Sequence, residues 1–265
     1  MTTQAFTKQL YSFFKENKRE FPWRKTSDPY HIMVSEYMLQ QTQVSRVTEK
    51  YPLFLKTFPT IESLSSASKK EVLHAWQGLG YNRRVLYLHT AANKIVQEWK
   101  GTVPKDPSIL QTLPGIGKNT AGSICAFAFN LPVIFIETNI RSVFIHTFFK
   151  KRKNVNDAEI IPLIGKMIDK KNPKKWYSAL MDYGTHLKKE QKNPSRKSIH
   201  HIKQSSFKGS IREVRGHIIK QSLLKSLPIK EIEKEYGKTK TQKAIDSLTK
   251  EGVIKKKGLK VYIIE

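Results

Sequence analysis

The stretch Leu113-Pro-Gly-Ile-Gly-Lys-Asn-Thr-Ala-Gly122 constrains this chain more than any other. Leu110 and Leu113 are apolar ahead of the turn, and Ala121, Ile124, Cys125 and Ala128 recur at helical spacing behind it. The pattern predicts two short helices joined by a tight turn. Gly115 and Gly117 can take backbone angles closed to other residues. They also leave bare the peptide N–H groups at the start of the following helix. Free N–H groups at a helix N-terminus attract phosphate, and Lys118 adds a positive charge there. These features have the form of a helix-hairpin-helix, which holds a nucleic-acid backbone without reading its sequence. An ordinary αα-hairpin with a glycine turn fits the ten residues equally well.

A chain of 265 residues is long enough for one large domain or about two to three small ones. Its formal net charge of +26 says little about fold and much about partners. Polyanions are implied, nucleic acid first, with a membrane surface as the rival. No apolar run approaches the ~20 residues needed to span a bilayer. The N-terminal residues lack the apolar core of a signal peptide, so a cytoplasmic protein is expected. The single cysteine, Cys125, excludes an intrachain disulfide and any zinc or iron–sulfur site built on several cysteine ligands. Its apolar helix predicts a small core residue rather than a nucleophile.

Helical periodicity runs through most of the chain. It predicts helices over 6–17, over 30–58 with a break near Tyr51-Pro52, and over 61–67, 69–79 and 83–99. Gly78 and Gly80 end the helix over 69–79. Leu131 to Asn139 reads as extended, with β-branched residues behind a proline, before a helix over 140–149. Two more helices are expected over 157–169 and 174–187. Residues 188–208 are basic, poor in apolar residues and interrupted by Asn193-Pro194, as in a linker or a DNA-facing loop. The pattern then changes. Helices over 211–224 and 229–236, a third over 240–251 capped by Thr239, and a hairpin turning at Lys257-Gly258 outline a winged helix-turn-helix.

Two places can carry chemistry. In Ser35-Glu-Tyr-Met-Leu-Gln-Gln-Thr-Gln-Val44, helical spacing would put Glu36, Gln40 and Gln43 on one polar face. Such a face suits a planar, hydrogen-bonding ligand such as a base; a solvated helix face is the plain alternative. Glu137 follows the apolar run Val133-Ile-Phe-Ile136 and precedes Asn139 and a helix. A carboxylate there is favoured at the helix start and serves either chemistry or simple capping. Two carboxyls near a DNA clamp suggest N-glycosidic hydrolysis: one protonates the leaving base and handles water, the other stabilises the cationic sugar. The base would have to be flipped out of the stack.

Four stretches, in order, carry a family resemblance: Phe21-Pro-Trp-Arg24, Ser35 to Val44, Trp76-Gln-Gly-Leu-Gly-Tyr81, and Leu113-Pro-Gly-Ile-Gly117 with Thr120-Ala-Gly122. Over residues 6 to about 187 the chain resembles the HhH-GPD superfamily of DNA glycosylases, and within it the A/G-mismatch adenine DNA glycosylases. The resemblance implies a mainly α, two-lobed helical fold. A central lobe is expected over about 25–130 and a second lobe over 1–24 plus 131–190, together forming a glycosylase domain over 1–190. A basic linker over 191–207 and the winged helix over 208–265 would follow. The implied activity is removal of a mispaired adenine, opposite guanine or 8-oxoguanine in double-stranded DNA, by a monomer. Glu36 is the implied general acid, with Glu137 at the position of an aspartate that stabilises the sugar cation and Asn139 supporting it. Trp23, Arg24, Gln40 and Asn119 would line the base pocket, and Gln41 would fill the space the base leaves. Tyr81 and Asn82 fall on the family's wedge beside the opposite base. Gly115, Gly117, Lys118 and Thr120 would hold the DNA backbone, and carbonyls of Leu113 and Ile116 a monovalent sodium or potassium ion.

Five departures modify that picture. Glu137 is one methylene longer than the family's aspartate. Asn119 replaces the lysine with which bifunctional members form a Schiff base, so no β-lyase step is expected. Asn82 replaces the second wedge aromatic. Past Met181-Asp-Tyr-Gly184, the four iron–sulfur cysteines are replaced by residues such as His186, Lys188 and Lys189, so no cluster is expected, and the tail is a winged helix instead of a Nudix-like domain. Two other readings stay open: a thymine or uracil mismatch glycosylase on the same fold, and a DNA-binding protein whose glycosylase site has decayed. Glu36 favours purine release, because a leaving adenine gains most from protonation at N7.

Overall fold

The computed structural model describes residues 1–203 and 206–264. Gln204 and Ser205 of the expected linker, and Glu265 at the end of the expected tail domain, lie outside the described residues. The described residues are mainly helical, with one small antiparallel sheet near the C-terminus. Their contacts form two compact units: Met1–Glu36, Pro104–Thr112 and Ile116–Lys203 in the first, and Tyr37–Val103, Leu113–Gly115 and the described part of 204–265 in the second. This grouping departs from the expected boundaries. The hairpin's second helix clusters with the terminal helices, and the winged helix clusters with 37–103.

The first unit is built on α1 (Thr3–Asn17), α7 (Pro107–Leu110), α8 (Lys118–Phe129), α9 (Thr138–Phe148), α10 (Asp157–Met167) and α11 (Pro173–Glu190), with most of α2 (Pro29–Leu39). The apolar face of α1, Phe6, Leu10 and Phe14, is buried with Ile140, Val143 and Phe144 of α9, Ile160 and Ile164 of α10, and Trp176, Tyr177 and Leu180 of α11. Phe6 contacts Phe144 and Trp176 with ring centroids 5.6 and 6.5 Å apart. Two glycines allow close approach of elements. A Cβ on Gly122 would lie 2.7 Å from Phe135, and one on Gly184 would lie 2.4 Å from the Asn139 carbonyl oxygen. Residues 131–137, expected to be extended, form no sheet; they begin in a tight turn, with the Val133 N–H donating to the Leu131 carbonyl at 2.8 Å. Part of the basic stretch after α11 is packed rather than free: Pro194 and Ser195 are buried, and Val155 bridges to Ser198.

The second unit contains α3 (Val44–Thr57), α4 (Ile61–Ser65), α5 (Lys69–Ala75) and α6 (Arg83–Trp99). Pro52 lies inside α3, and the chain breaks earlier, at 40–43, with Gln41 in left-handed backbone at φ +54°. Its C-terminal part runs α12 (Ile211–Ser222), β1 (Leu227–Pro228), α13 (Ile229–Tyr236), α14 (Lys238–Lys250), β2 (Ile254–Lys257) and β3 (Lys260–Ile263), with sheet order β1-β3-β2. Three helices and a three-stranded antiparallel sheet in this order make a winged helix. Gly258 turns the hairpin at φ +55°. Gly237, not Thr239, precedes α14, and Thr239 lies within its first turn; Gly237, at φ +81°, is the single residue between α13 and α14.

Candidate active site

Glu36 lies in α2, among residues that are otherwise almost wholly buried: Ile32, Met33, Val34 and Ser35 before it, Tyr37 and Met38 after it. Its Oε2 is 2.6 Å from the hydroxyl of Ser123 in α8, which is also 3.0 Å from the Thr120 carbonyl. Removal from water pushes the Glu36 carboxyl up to about 7; the Ser123 hydrogen bond opposes this and the charge of Glu137 adds to it. An ordinary glutamate would be ionised at neutral pH. Glu36 is shifted toward keeping its proton near neutrality, which a general acid needs.

Glu137 caps α9. Its Oε1 accepts from the backbone N–H of Asn139 (2.7 Å) and Ile140 (3.0 Å), and its Oε2 accepts from Asn139 Nδ2 at 3.3 Å. Burial pushes its carboxyl up as well, against the pull of Lys188, the two amides and Arg141. Asn139 Oδ1 accepts from Lys188 Nζ at 2.7 Å and from Thr185 Oγ1 at 3.4 Å. Lys188 and Thr185 stand on α11, which the missing side chain of Gly184 lets lie against the start of α9. Burial lowers the Lys188 amine, and Glu137 opposes that shift. The capping and the chemical readings of Glu137 are thus the same geometry: a carboxylate fixed by two amides, with a second carboxyl near enough to feel its charge.

The remaining sequence-predicted residues fall into both units. In the first, Trp23 is buried and stacks on Phe21 with centroids 4.9 Å apart. Arg24 grips the buried Asp182 with both terminal nitrogens (2.8 and 2.9 Å) and donates to the carbonyls of Arg19 and Ser178. It therefore braces the Phe21–Arg24 turn against α11. Asn119 is exposed, and its Oδ1 accepts from the Ile136 N–H, which ties α8 to the segment leading into Glu137. Gly117 precedes α8 at φ −92°, an angle open to any residue, and a Cβ there would meet nothing within 4 Å. Its expected special conformation is absent; what the glycine leaves is open space over the first amides of α8. Lys118 is exposed beside it.

In the second unit, Gly115 does take the expected left-handed angle, φ +79°, with Tyr37 and Tyr87 too close for a Cβ. Its carbonyl accepts from Gln40 Nε2 at 3.1 Å, and the Pro114 carbonyl accepts from the Tyr37 hydroxyl. Since α2 ends at Leu39, Gln40 and Gln43 do not continue the helical face of Glu36. Gln41 is exposed, Tyr81 is half-buried at φ +47°, and Asn82 starts α6 without capping it through its side chain. Sequence reasoning missed Ser123, Asp182 and Arg84. The buried guanidinium of Arg84 donates to the carbonyls of Tyr37 and Met38 (both 2.8 Å), Gln40 and Gly80 (2.9 Å for the last). Among the described residues, no group of three or more His, Cys, Asp and Glu side chains can hold a metal ion, and no helix is long and apolar enough to cross a membrane.

Residues 34–163 match the model of the HhH-GPD superfamily base excision DNA repair proteins. Curated adenine DNA glycosylases are similar to parts of the chain. That of Buchnera aphidicola (subsp. Baizongia pistaciae) is 35% identical over 69% of this chain and 53% of its own length. That of Mycolicibacterium smegmatis is 41% identical over 51% of this chain and 46% of its own, and the human protein is 38% identical over 52% of this chain and 27% of its own. The chain thus spans about half the length of the first two. Among solved structures, a thermostable thymine-DNA glycosylase superposes with a TM-score of 0.65 at 23% identity, covering 72% of this chain and 90% of the other. An endonuclease III–DNA covalent intermediate superposes at 0.58 and 18%, covering 79% and 92%. At these identities the two superpositions establish the shared fold.

Proposed function

We propose that the protein is a monofunctional DNA glycosylase that flips a mispaired adenine out of double-stranded DNA and releases it by hydrolysis. The observation that carries this reading is the pairing of Glu36, hydrogen-bonded to Ser123 and pushed up by its removal from water, with the fixed carboxyl of Glu137. Glu36 protonates the leaving base and, once ionised, takes a proton from the attacking water. Glu137 stabilises the sugar cation, with Asn139 and Lys188 holding its surroundings. The similarity to adenine DNA glycosylases supports adenine as the base. Trp23 and Asn119 border the base, and Arg24 acts through the turn it braces. Gln41, Tyr81 and Asn82 meet the opened duplex. The open first amides of α8, Gly115, Lys118 and Thr120 meet the phosphate backbone. A monovalent cation on the carbonyls of Leu113 and Ile116 is part of this reading only as the family resemblance implies it. The winged helix over 208–265 adds further backbone contacts, and the protein acts as a monomer in the cytoplasm.

The test is single-turnover base release from duplexes carrying A:8-oxoguanine, A:G, T:G and U:G, with Glu36→Gln in parallel. Adenine release that is lost in the variant is the expected result. Release of only thymine or uracil, or tight binding with no release, overturns it. Borohydride should trap no covalent adduct, because Asn119 cannot form a Schiff base; an adduct would overturn the monofunctional assignment.

A further inference from the structure

Gln41 and Tyr81 are non-glycine residues with left-handed backbone in two separate loops of the second unit. Such conformations are costly and persist only where the surroundings over-determine them, as they do at functional sites. Here Arg84 does so. Besides the carbonyls of Tyr37, Met38, Gln40 and Gly80, its guanidinium donates to Leu79 O at 3.2 Å, to Tyr81 O at 3.4 Å and to Thr42 Oγ1 at 2.8 Å. One buried cation thereby shapes both loops.

The Tyr81 ring is held from a second direction as well. The guanidinium carbons of Arg84 and Arg212 each lie 5.5 Å from its centroid, and Arg212 Nη1 donates to its hydroxyl at 2.5 Å. Arg212 belongs to the first turn of α12 in the winged helix. That segment is fixed to the rest of the unit by Glu251, which accepts from Arg215 (2.7 and 2.8 Å) and from Arg83 at the start of α6. The same segment presents the exposed lysines 238, 240, 243 and 250 of α14 and 255, 256, 257 and 260 of the hairpin. A basic surface suited to a phosphate backbone is therefore joined, through one arginine, to an aromatic side chain set at the tip of a strained turn. A ring that stacks on bases needs a fixed orientation, and stacking contributes strongly to the binding of unpaired bases.

We propose that Arg212 is a positioning residue through which the winged helix orients Tyr81 against the opened duplex. The C-terminal segment then takes part in recognising the disrupted base pair, beyond adding phosphate contacts. This rests on the reading that the protein opens duplex DNA.

The test uses the full chain with Arg212→Gln, Arg212→Lys, Tyr81→Phe and the double variant Arg212→Gln/Tyr81→Phe, with Glu251→Gln as a control on docking. The readout is the ratio of affinities for a duplex containing a tetrahydrofuran abasic analogue and for the same duplex fully paired, alongside melting temperature and salt dependence. Arg212→Gln and Tyr81→Phe should each lower the ratio by about fivefold to twentyfold, and the double variant by no more than either alone, as expected of coupled partners. Arg212→Lys should restore part of the ratio. Additive losses overturn the proposal. So does an equal loss of affinity for both duplexes with the salt slope reduced by about 0.9, which marks a simple phosphate contact. So does a matching loss of ratio and melting temperature in Glu251→Gln, which marks docking alone. If the wild type releases no base from any duplex, the glycosylase reading falls while the affinity ratio still decides the role of Arg212.

Discussion

The Ser123 hydroxyl and the Glu36 carboxyl, 2.6 Å apart, form a hydrogen bond that survives either protonation state of the acid. When Glu36 is ionised, Ser123 donates to it. When Glu36 is protonated, Glu36 can donate to Ser123, whose own proton turns to the Thr120 carbonyl 3.0 Å away. The acid can lose and regain its proton without leaving a buried polar atom unpaired, so its position is the same before and after the transfer.

The first consequence is a pH profile. If protonated Glu36 is the working acid, single-turnover base release should be level below pH 7 and fall about tenfold per unit above it. A rate that stays level to pH 9 would remove Glu36 from that role. Glu36→Gln should lower the rate by about a hundredfold to ten-thousandfold at neutral pH.

Stability should move the opposite way. The Glu36 carboxyl lies above its ordinary value of 4.5, so the folded state binds the proton more tightly than the unfolded chain. The resulting penalty is absent below pH 4.5, grows between 4.5 and about 7 and is complete above that. Glu36→Gln should therefore be more stable than wild type at pH 8 by about 1–3 kcal/mol and no more stable at pH 4.5. Urea unfolding at the two pH values measures this, and a variant equally stable with wild type at pH 8 would refute it.

Arg24 and Arg19 each donate two hydrogen bonds to a carboxylate that is almost wholly buried, Asp182. Arg24→Met should destabilise the fold by about 3 kcal/mol, because it leaves that charge under-compensated. A loss below about 1 kcal/mol in denaturant unfolding would mean that water or Arg19 compensates fully.

The lysine run at the tip of the hairpin, Lys255, Lys256 and Lys257, is exposed. Replacing all three with alanine should leave stability within about 0.5 kcal/mol. It should also flatten the salt dependence of duplex binding by about 0.9 for each phosphate contact removed. An unchanged slope would show that this edge faces away from DNA.

The local patterns were legible because local physics sets them. Gly115 is legible from its place in the turn, Glu137 from its place at a helix start, and α6 and α13 from periodicity and their bounding residues, whereas Asn139 comes only from the family resemblance. What escaped depended on distant partners. The break at 40–43 follows from Arg84, which gathers the carbonyls of Tyr37, Met38 and Gln40 from another helix; proline chemistry pointed instead to Tyr51-Pro52, which α3 absorbs. Ser123 and Asp182 did carry a signal. Each is a buried polar residue set into an otherwise largely apolar run of sequence, 121–126 and 179–183, and such a residue needs a buried partner. The identity of that partner is not written nearby in the chain.

Glu137 supports α9 whether or not it meets a substrate. Replacing it costs the helix its cap, and helix caps contribute about 0.5–2 kcal/mol. A descendant that had abandoned base removal would still be under selection to keep an acid, or a shorter capping side chain, at this position. Glu36 sits in mid-helix, caps no terminus and burdens the fold above neutrality. It is the residue such a descendant would lose first, and so the sign by which a working enzyme and a retired one could be told apart among relatives.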